Sequence, residues 1–293
     1  MRVKVEIVNA FIDGETGGNP AGVVVDAQAL SAGQKLAIAG KVGLSETAFV
    51  SSSETAALKL EFFTPTRQIA HCGHATIATF SLLRQLGKIG EGVSSKETID
   101  GKRDIRIKGD MAFMEQRAPK YTAVPAESDL RRRVLSSLRL TAAQRPADWE
   151  PCVVNTGNSF LIVPLSDEAA VQGLDPDFEE IGRISEELDL IGYYVFSAET
   201  KAAGRDAGTR MFAPRYGIRE EAATGMAAGP LACYLHDRMG VKKEQLLIEQ
   251  GRLMSPASPS VITVDLETKD GAISRLMAGG RAKAVKSLSV ELE

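Results

Sequence analysis

FFTPTRQIAHCGHATIATFSLLRQLG (62–87) and MFAPRYGIREEAATGMAAGPLACYLHDRMG (211–240) read as two copies of one unit. Each starts as a strand ending in Phe-x-Pro, passes a polar loop and a turn of small residues, and enters a helix closed by glycine. The repeat predicts two similar domains, with corresponding helices over 74–87 and 224–240. A cleft between such halves would face two helix N-termini. Their unsatisfied N–H groups and dipoles favour an anion such as a carboxylate.

Working outward, strand signals dominate. VKVEIVNAF (3–11), AGVVVD (21–26), ETAFVSS (46–52), ALKLEFFT (57–64) and DIRIKG (104–109) carry alternating or β-branched patterns in the first half. SFLIVPL (159–165), LIGYYVFSA (190–198), RMFAP (210–214), QLLIEQG (245–251) and SVITVDL (260–266) form a second series. Helical periodicity also marks LSAGQKLAIAGKVG (30–43) and SDLRRRVLSSLRL (128–140), and residues 121–140 read as a linker between halves. The fold class is α+β.

Composition narrows the function. The 293 residues are 44% hydrophobic, enough for a real core, and 38 acidic against 35 basic side chains leave a net charge of −3. No run of five or more Lys and Arg occurs, and aromatics are 5% with one Trp, so nucleic acids and anionic membranes lose their usual driving force. No stretch approaches 18 apolar residues, and MRVKVEIVNAF lacks a secretory apolar region, so no membrane partner is expected. Cys72, Cys152 and Cys233 are odd in number and far apart, unlike a disulfide framework. A cytoplasmic protein with reduced thiols is expected. GGNPAGVVV (17–25) runs into a strand and is no dinucleotide fingerprint; no P-loop and no GxSxG elbow occurs.

Glu46 is the first chemical candidate. In LSETAFV (44–50) alternation sets it on one face with Leu44, Ala48 and Val50. Burying a carboxylate there would disfavour its charge and move its titration toward neutrality, as a general acid/base needs. A half-exposed glutamate at a strand end is the plain alternative. HCGH (71–74) invites a metal, but His236 is the only other histidine and the other cysteines stand alone, so no metal is expected. Instead, Gly73 opens the helix and His74 sits in its first turn, placed to grip an anion or relay a proton. Cys72 near a helix start is a candidate thiolate base, but its counterpart in the repeat is Ala222. Glu220 and Glu221 in the second loop are candidates to orient a polar substrate group.

Taken together, GNPAGVV (18–24), LSETAFV (44–50), FFTPTRQIAHCGHATIAT (62–79), YYVFS (193–197) and FAPRYGIREEAATGMAAG (212–229) resemble the PhzF phenazine-biosynthesis-like family. The resemblance implies the diaminopimelate epimerase fold: two barrel-like domains related by a pseudo-twofold, each wrapping a central helix. Residues 1–118, joined by 279–293, would form the first domain, and 119–278 the second. It also implies a cofactor-free isomerase that moves a proton and a double bond on a small carboxylic acid. Glu46 would be the general acid/base, with His74 and Glu221 beside it as catalytic residues. Asn19, Gly73, Gly225 and Met226 would contact substrate, and a homodimer is expected. Where the family often reads EDPATGSA this chain reads EEAATGMA (220–227). Glu221 and Met226 thus replace an aspartate and a serine, and point to a substrate other than the phenazine precursor. Two rivals remain: an amino-acid racemase or epimerase using Cys72, and a non-catalytic protein that binds a small ligand.

Overall fold

The computed structural model describes residues 1–146, 148 and 150–292. The chain divides into two compact units, Met1–Glu115 with Gly279–Glu293, and Gln116–Ala278.

In the first unit β1 (Arg2–Ala10) and β2 (Asn19–Val24) form an antiparallel pair. Helix α1 (Ala32–Val42) then crosses over to β3 (Thr47–Ser51), which runs parallel to β2. β4 (Leu58–Phe63) pairs antiparallel with β3 and with the short β5 (Gln68–Ile69). Helix α2 (Gly73–Gln85) returns the chain to β6 (Gly92–Thr98), parallel to β4. β7 (Gly101–Lys108) and β8 (Met111–Arg117) continue antiparallel. The C-terminal strand pairs with both β8 and β1, so the series closes on itself as a barrel. Gly279 permits the closure: a Cβ there would stand 2.2 Å from the Ala112 carbonyl oxygen.

The second unit repeats that order. β9 (Lys120–Ala123) pairs with β10 (Cys152–Asn155), and β10 with β11 (Ser159–Pro164). Helix α3 (Asp129–Ser137) lies between β9 and β10 in the chain, and α4 (Glu168–Gln172) and α5 (Phe178–Glu187) cross over to β12 (Gly192–Ser197), parallel to β11. β13 (Ala207–Ala213) pairs with β12 and with the short β14 (Ile218–Glu221). Helix α6 (Gly225–Asp237) leads to β15 (Gln245–Gln250), parallel to β13, and β16 (Ser260–Lys269) follows antiparallel. A tight turn then starts the C-terminal strand, β17 (Ala272–Glu291). The β4–β5–α2 and β13–β14–α6 segments are the two copies of the repeat.

Both returning helices are rich in small and apolar residues on every face, and a helix of that kind is buried all round. Every residue of α2 from Gly73 to Leu83 is buried, and α2 packs against β1, β2 and β3. Full burial of Ile77, Phe80, Leu82 and Leu83 contributes about 1.5–3 kcal/mol per side chain. Its two threonines are satisfied within the helix: Thr76 and Thr79 donate to the carbonyls of Cys72 and Ala75 at 2.6 and 2.7 Å. In α6, Pro230 removes the helical donor that the Met226 carbonyl would otherwise meet.

Candidate active site

Glu46 immediately precedes β3, and its carbonyl accepts from the Gly22 amide at 3.0 Å. The expected alternation does not separate two faces here. β3 lies between a parallel and an antiparallel neighbour with α1 and α2 packed on it, so Thr47, Ala48, Phe49 and Val50 are all buried. Glu46 itself is 9% exposed and His74, the second residue of α2, 8%. Glu46 Oε2 and His74 Nε2 approach to 3.3 Å. The approach is not aligned as a hydrogen bond, and each atom is buried without a hydrogen-bond partner. Two such groups facing each other are costly unless a ligand or a shared proton completes them.

Cys72 is the N-cap of α2, in extended conformation, and makes no side-chain cap. Its Sγ lies 3.6 Å from His74 Nδ1. Behind this turn Lys96, fully buried on β6, donates to Thr76 Oγ1 at 2.6 Å and faces His71 Nδ1 at 3.4 Å. Burial, then the charges of Lys96 and Arg103, push the His71 imidazole down to about 3. Burial likewise pushes the Lys96 amine down to about 7, against the favourable charge of Cys72.

His71 therefore imposes a pH dependence on stability. Its folded value lies below the ordinary 6.5, so the unfolded chain binds the extra proton as pH falls from 6.5 toward 3. Stability is lost in that window, with a slope of at most about 1.4 kcal/mol per pH unit. Urea unfolding between pH 6.5 and 5 is expected to show a shallower slope in His71→Gln than in the wild type. Identical slopes would contradict this.

In the second unit Glu220 is committed to Arg210, with Nε–Oε1 2.7 Å and Nη2–Oε2 2.8 Å, a structural fork rather than a substrate group. Glu221 ends β14, half-buried, four residues before α6. Its carbonyl accepts from Gln250 Nε2, whose Oε1 accepts the Thr224 amide and so anchors the α6 entrance. The Gly225 carbonyl accepts from Gln116 at 2.8 Å, and Asn158 Nδ2 approaches Met226 Sδ at 3.4 Å. Asn19, buried at 4%, opens β2 after the left-handed Gly17 and Gly18. The structure thus brings Glu46, Cys72, Gly73 and His74 together at the start of α2. Glu221, Gly225 and Met226 belong to the second unit, around the start of α6. The sequence reading missed Lys96, Gln250 and Asn158.

A family model described as "Phenazine biosynthesis-like protein" matches residues 8–287. The chain belongs to this phenazine biosynthesis-like family. It is 31% identical over 239 residues to "Uncharacterized isomerase YddE" of Escherichia coli O157:H7, covering 80% of each chain. It is 29% identical over 290 residues to the trans-2,3-dihydro-3-hydroxyanthranilate isomerase of Pseudomonas chlororaphis, covering 94% of each. The crystal structure of the Bacillus anthracis phenazine biosynthesis protein, PhzF family, superposes with a TM-score of 0.89 at 26% identity, over 100% of both chains. The chain is an isomerase of the phenazine biosynthesis-like family. Among the described residues no helix is long and apolar enough to cross a membrane.

Glu46, Cys72 and His74 each bring a donor atom within 4.8 Å of the others, the first requirement of a metal site. A single ion, however, needs its ligand atoms aimed at one point. Here the imidazole turns Nε2 to Glu46 and Nδ1 to Cys72, so each nitrogen addresses a different neighbour.

Proposed function

We propose that this phenazine biosynthesis-like isomerase moves a proton, and with it a double bond, on a small carboxylate-bearing substrate without a cofactor. Glu46 is the general acid/base. As the carboxylate it takes a proton from a carbon acidified by neighbouring unsaturation; the electron pair left behind shifts the double bond. The new Glu46 O–H then protonates a second carbon, restoring the carboxylate. The buried, unpartnered approach of Glu46 Oε2 to His74 Nε2 carries this reading. His74 is the polar partner that steadies Glu46 and the developing anion. The amides of Gly73 and Gly225 stand at helix starts, where an anion is favoured. Glu221, Asn19 and Met226 complete the proposed substrate contacts. We further assign the working enzyme as a cytoplasmic homodimer of two barrel-and-helix units per chain.

Glu221 is longer than the expected aspartate, and Met226 offers sulfur where a hydroxyl is expected. The substrate is therefore a small acid other than trans-2,3-dihydro-3-hydroxyanthranilate, the compound in the Pseudomonas chlororaphis relative's name. The Cys72 racemase reading is weaker, because Ala222 stands at the matching place in the repeat.

A panel of small unsaturated and amino carboxylic acids, that compound included, tests the reading by proton NMR of product formation. Double-bond migration in at least one unsaturated acid is the expected result. Binding of panel members with no turnover of any would favour a ligand-binding protein instead. Inversion of amino acids, surviving in Glu46→Gln but lost in Cys72→Ala, would favour the racemase.

A further inference from the structure

Lys96 is 0% exposed, and among the described residues it makes no ion pair with a carboxylate. Although burial lowers its proton affinity to about 7, it is an ammonium below that pH, with three N–H donors and no acceptor, and its surroundings suit that form. Thr76 Oγ1 accepts at 2.6 Å, and its own hydrogen is already given to the Cys72 carbonyl. His71, held neutral by its low proton affinity, offers its Nδ1 lone pair at 3.4 Å. The face of Phe62 lies 5.2 Å from Nζ. Three acceptors surround three donors, yet a buried cation still needs a counter-charge.

The charged groups around Lys96 decide which one supplies it. Arg103, opposite Lys96 on β7, repels it; Asp100, in the β6–β7 turn, helps less than Cys72. Cys72 is tied to Lys96 through Thr76, whose hydroxyl accepts from Nζ and donates to the Cys72 carbonyl. As a thiolate it would be the group that most favours the ammonium, and its sulfur is also the atom that meets His74 Nδ1.

We propose that Lys96 is a positioning residue for proton transfer at Glu46: its ammonium holds Cys72 as the thiolate, and the thiolate keeps the His74 proton on Nδ1, leaving the Nε2 lone pair toward the Glu46 carboxyl. The relay has two forms with the same number of protons. In one, Glu46 is a carboxylic acid, His74 carries hydrogen on Nδ1 and Cys72 is a thiolate. In the other, the Glu46 O–H bond breaks as Nε2–H forms, and Nδ1–H breaks as S–H forms, leaving the Glu46 carboxylate ready to take a proton from substrate. Lys96 biases the balance toward the first form. The inference rests on the reading of Glu46 and His74 given above, but its main test needs no turnover.

The test is the pH dependence of Cys72 alkylation by iodoacetamide, read on the Cys72 peptide by mass spectrometry, in wild type and Lys96→Met. Circular dichroism monitors the fold. The wild-type rate is expected to reach half its maximum below the ordinary thiol value of about 8.5. In Lys96→Met the midpoint is expected to rise by at least about one pH unit, a tenfold slower reaction at neutral pH. An unchanged midpoint in a folded variant overturns the proposal. If the variant does not fold, a wild-type midpoint at or above about 8.5 overturns it alone. On a substrate that turns over, Lys96→Met is also expected to displace the pH–rate profile. A uniform fall in rate with profile and thiol midpoint unmoved would mark a purely structural lysine and reject the assignment. Full activity in Glu46→Gln would sink the functional reading while leaving the thiol result standing.

Discussion

Glu46→Gln is expected to lower turnover by roughly 10³-fold, the range lost when a positioned general acid/base is removed. The amide keeps the shape of the carboxyl group but neither takes up nor releases a proton at working pH. Because Glu46 Oε2 has no hydrogen-bond partner, the substitution breaks no bond that holds the fold. Its place is set by the main chain, through the Glu46 carbonyl and the Gly22 amide, which the variant keeps. The circular dichroism spectrum and unfolding midpoint are therefore expected to stay near wild type while kcat collapses. KM is expected to change little, since the anion grip assigned to helix-end amides is untouched. Equal losses of stability and activity would mean that Glu46 is structural.

The largest expected effect on stability comes from Gly251→Ala. Gly251 follows β15 with φ +80°, a left-handed conformation that strains any other residue. A Cβ would also stand 2.1 Å from the Ser258 carbonyl oxygen and 2.6 Å from that of Ala222. Both are backbone atoms, so no rotamer change relieves the contact; the chain itself has to move. Conformational strain and overpacking together are expected to cost about 3–5 kcal/mol. For 293 residues that is a fall of roughly 5–8 °C in the midpoint of thermal unfolding, read by calorimetry. Ala222 lies in the loop that enters α6, so residual activity should drop as well. A midpoint within about 2 °C of wild type would show that the loop yields far more easily than this packing implies.

The parts of the fold legible in the sequence are those where periodicity and punctuation agree. The two strand–loop–helix copies were readable because Phe-x-Pro, the small-residue turn and the closing glycine recur in order, and the same pairing order recurs in both units. The helix α5 escaped the reading although Ile181 and Ile184 bury one face, because its charged residues read as a polar stretch. β8, MAFMEQR, escaped because Met and Ala carry little strand signal; its burial comes from β7 and the closing C-terminal strand. At the site, Glu46 and His74 were visible as residues, but their 3.3 Å approach joins β3 to α2, which are distant in sequence. Lys96 was invisible for a related reason. In GVSSKET a lysine reads as solvent-facing, and only strand pairing to β4 and β7 under α2 reveals its burial. Gln250 and Asn158 were hidden likewise, since an uncharged amide in a loop or strand end carries no signal of what it anchors.

The proposed mechanism makes Glu46 the proton carrier. The most direct measurement incubates a substrate found by the panel in D₂O with wild type or Glu46→Gln, and follows the recovered, unconverted substrate by proton NMR. Deuterium entering the donor carbon with wild type, and none with Glu46→Gln over the same period, is the predicted result. Equal deuterium uptake with both proteins would contradict that role, because the base would then lie elsewhere.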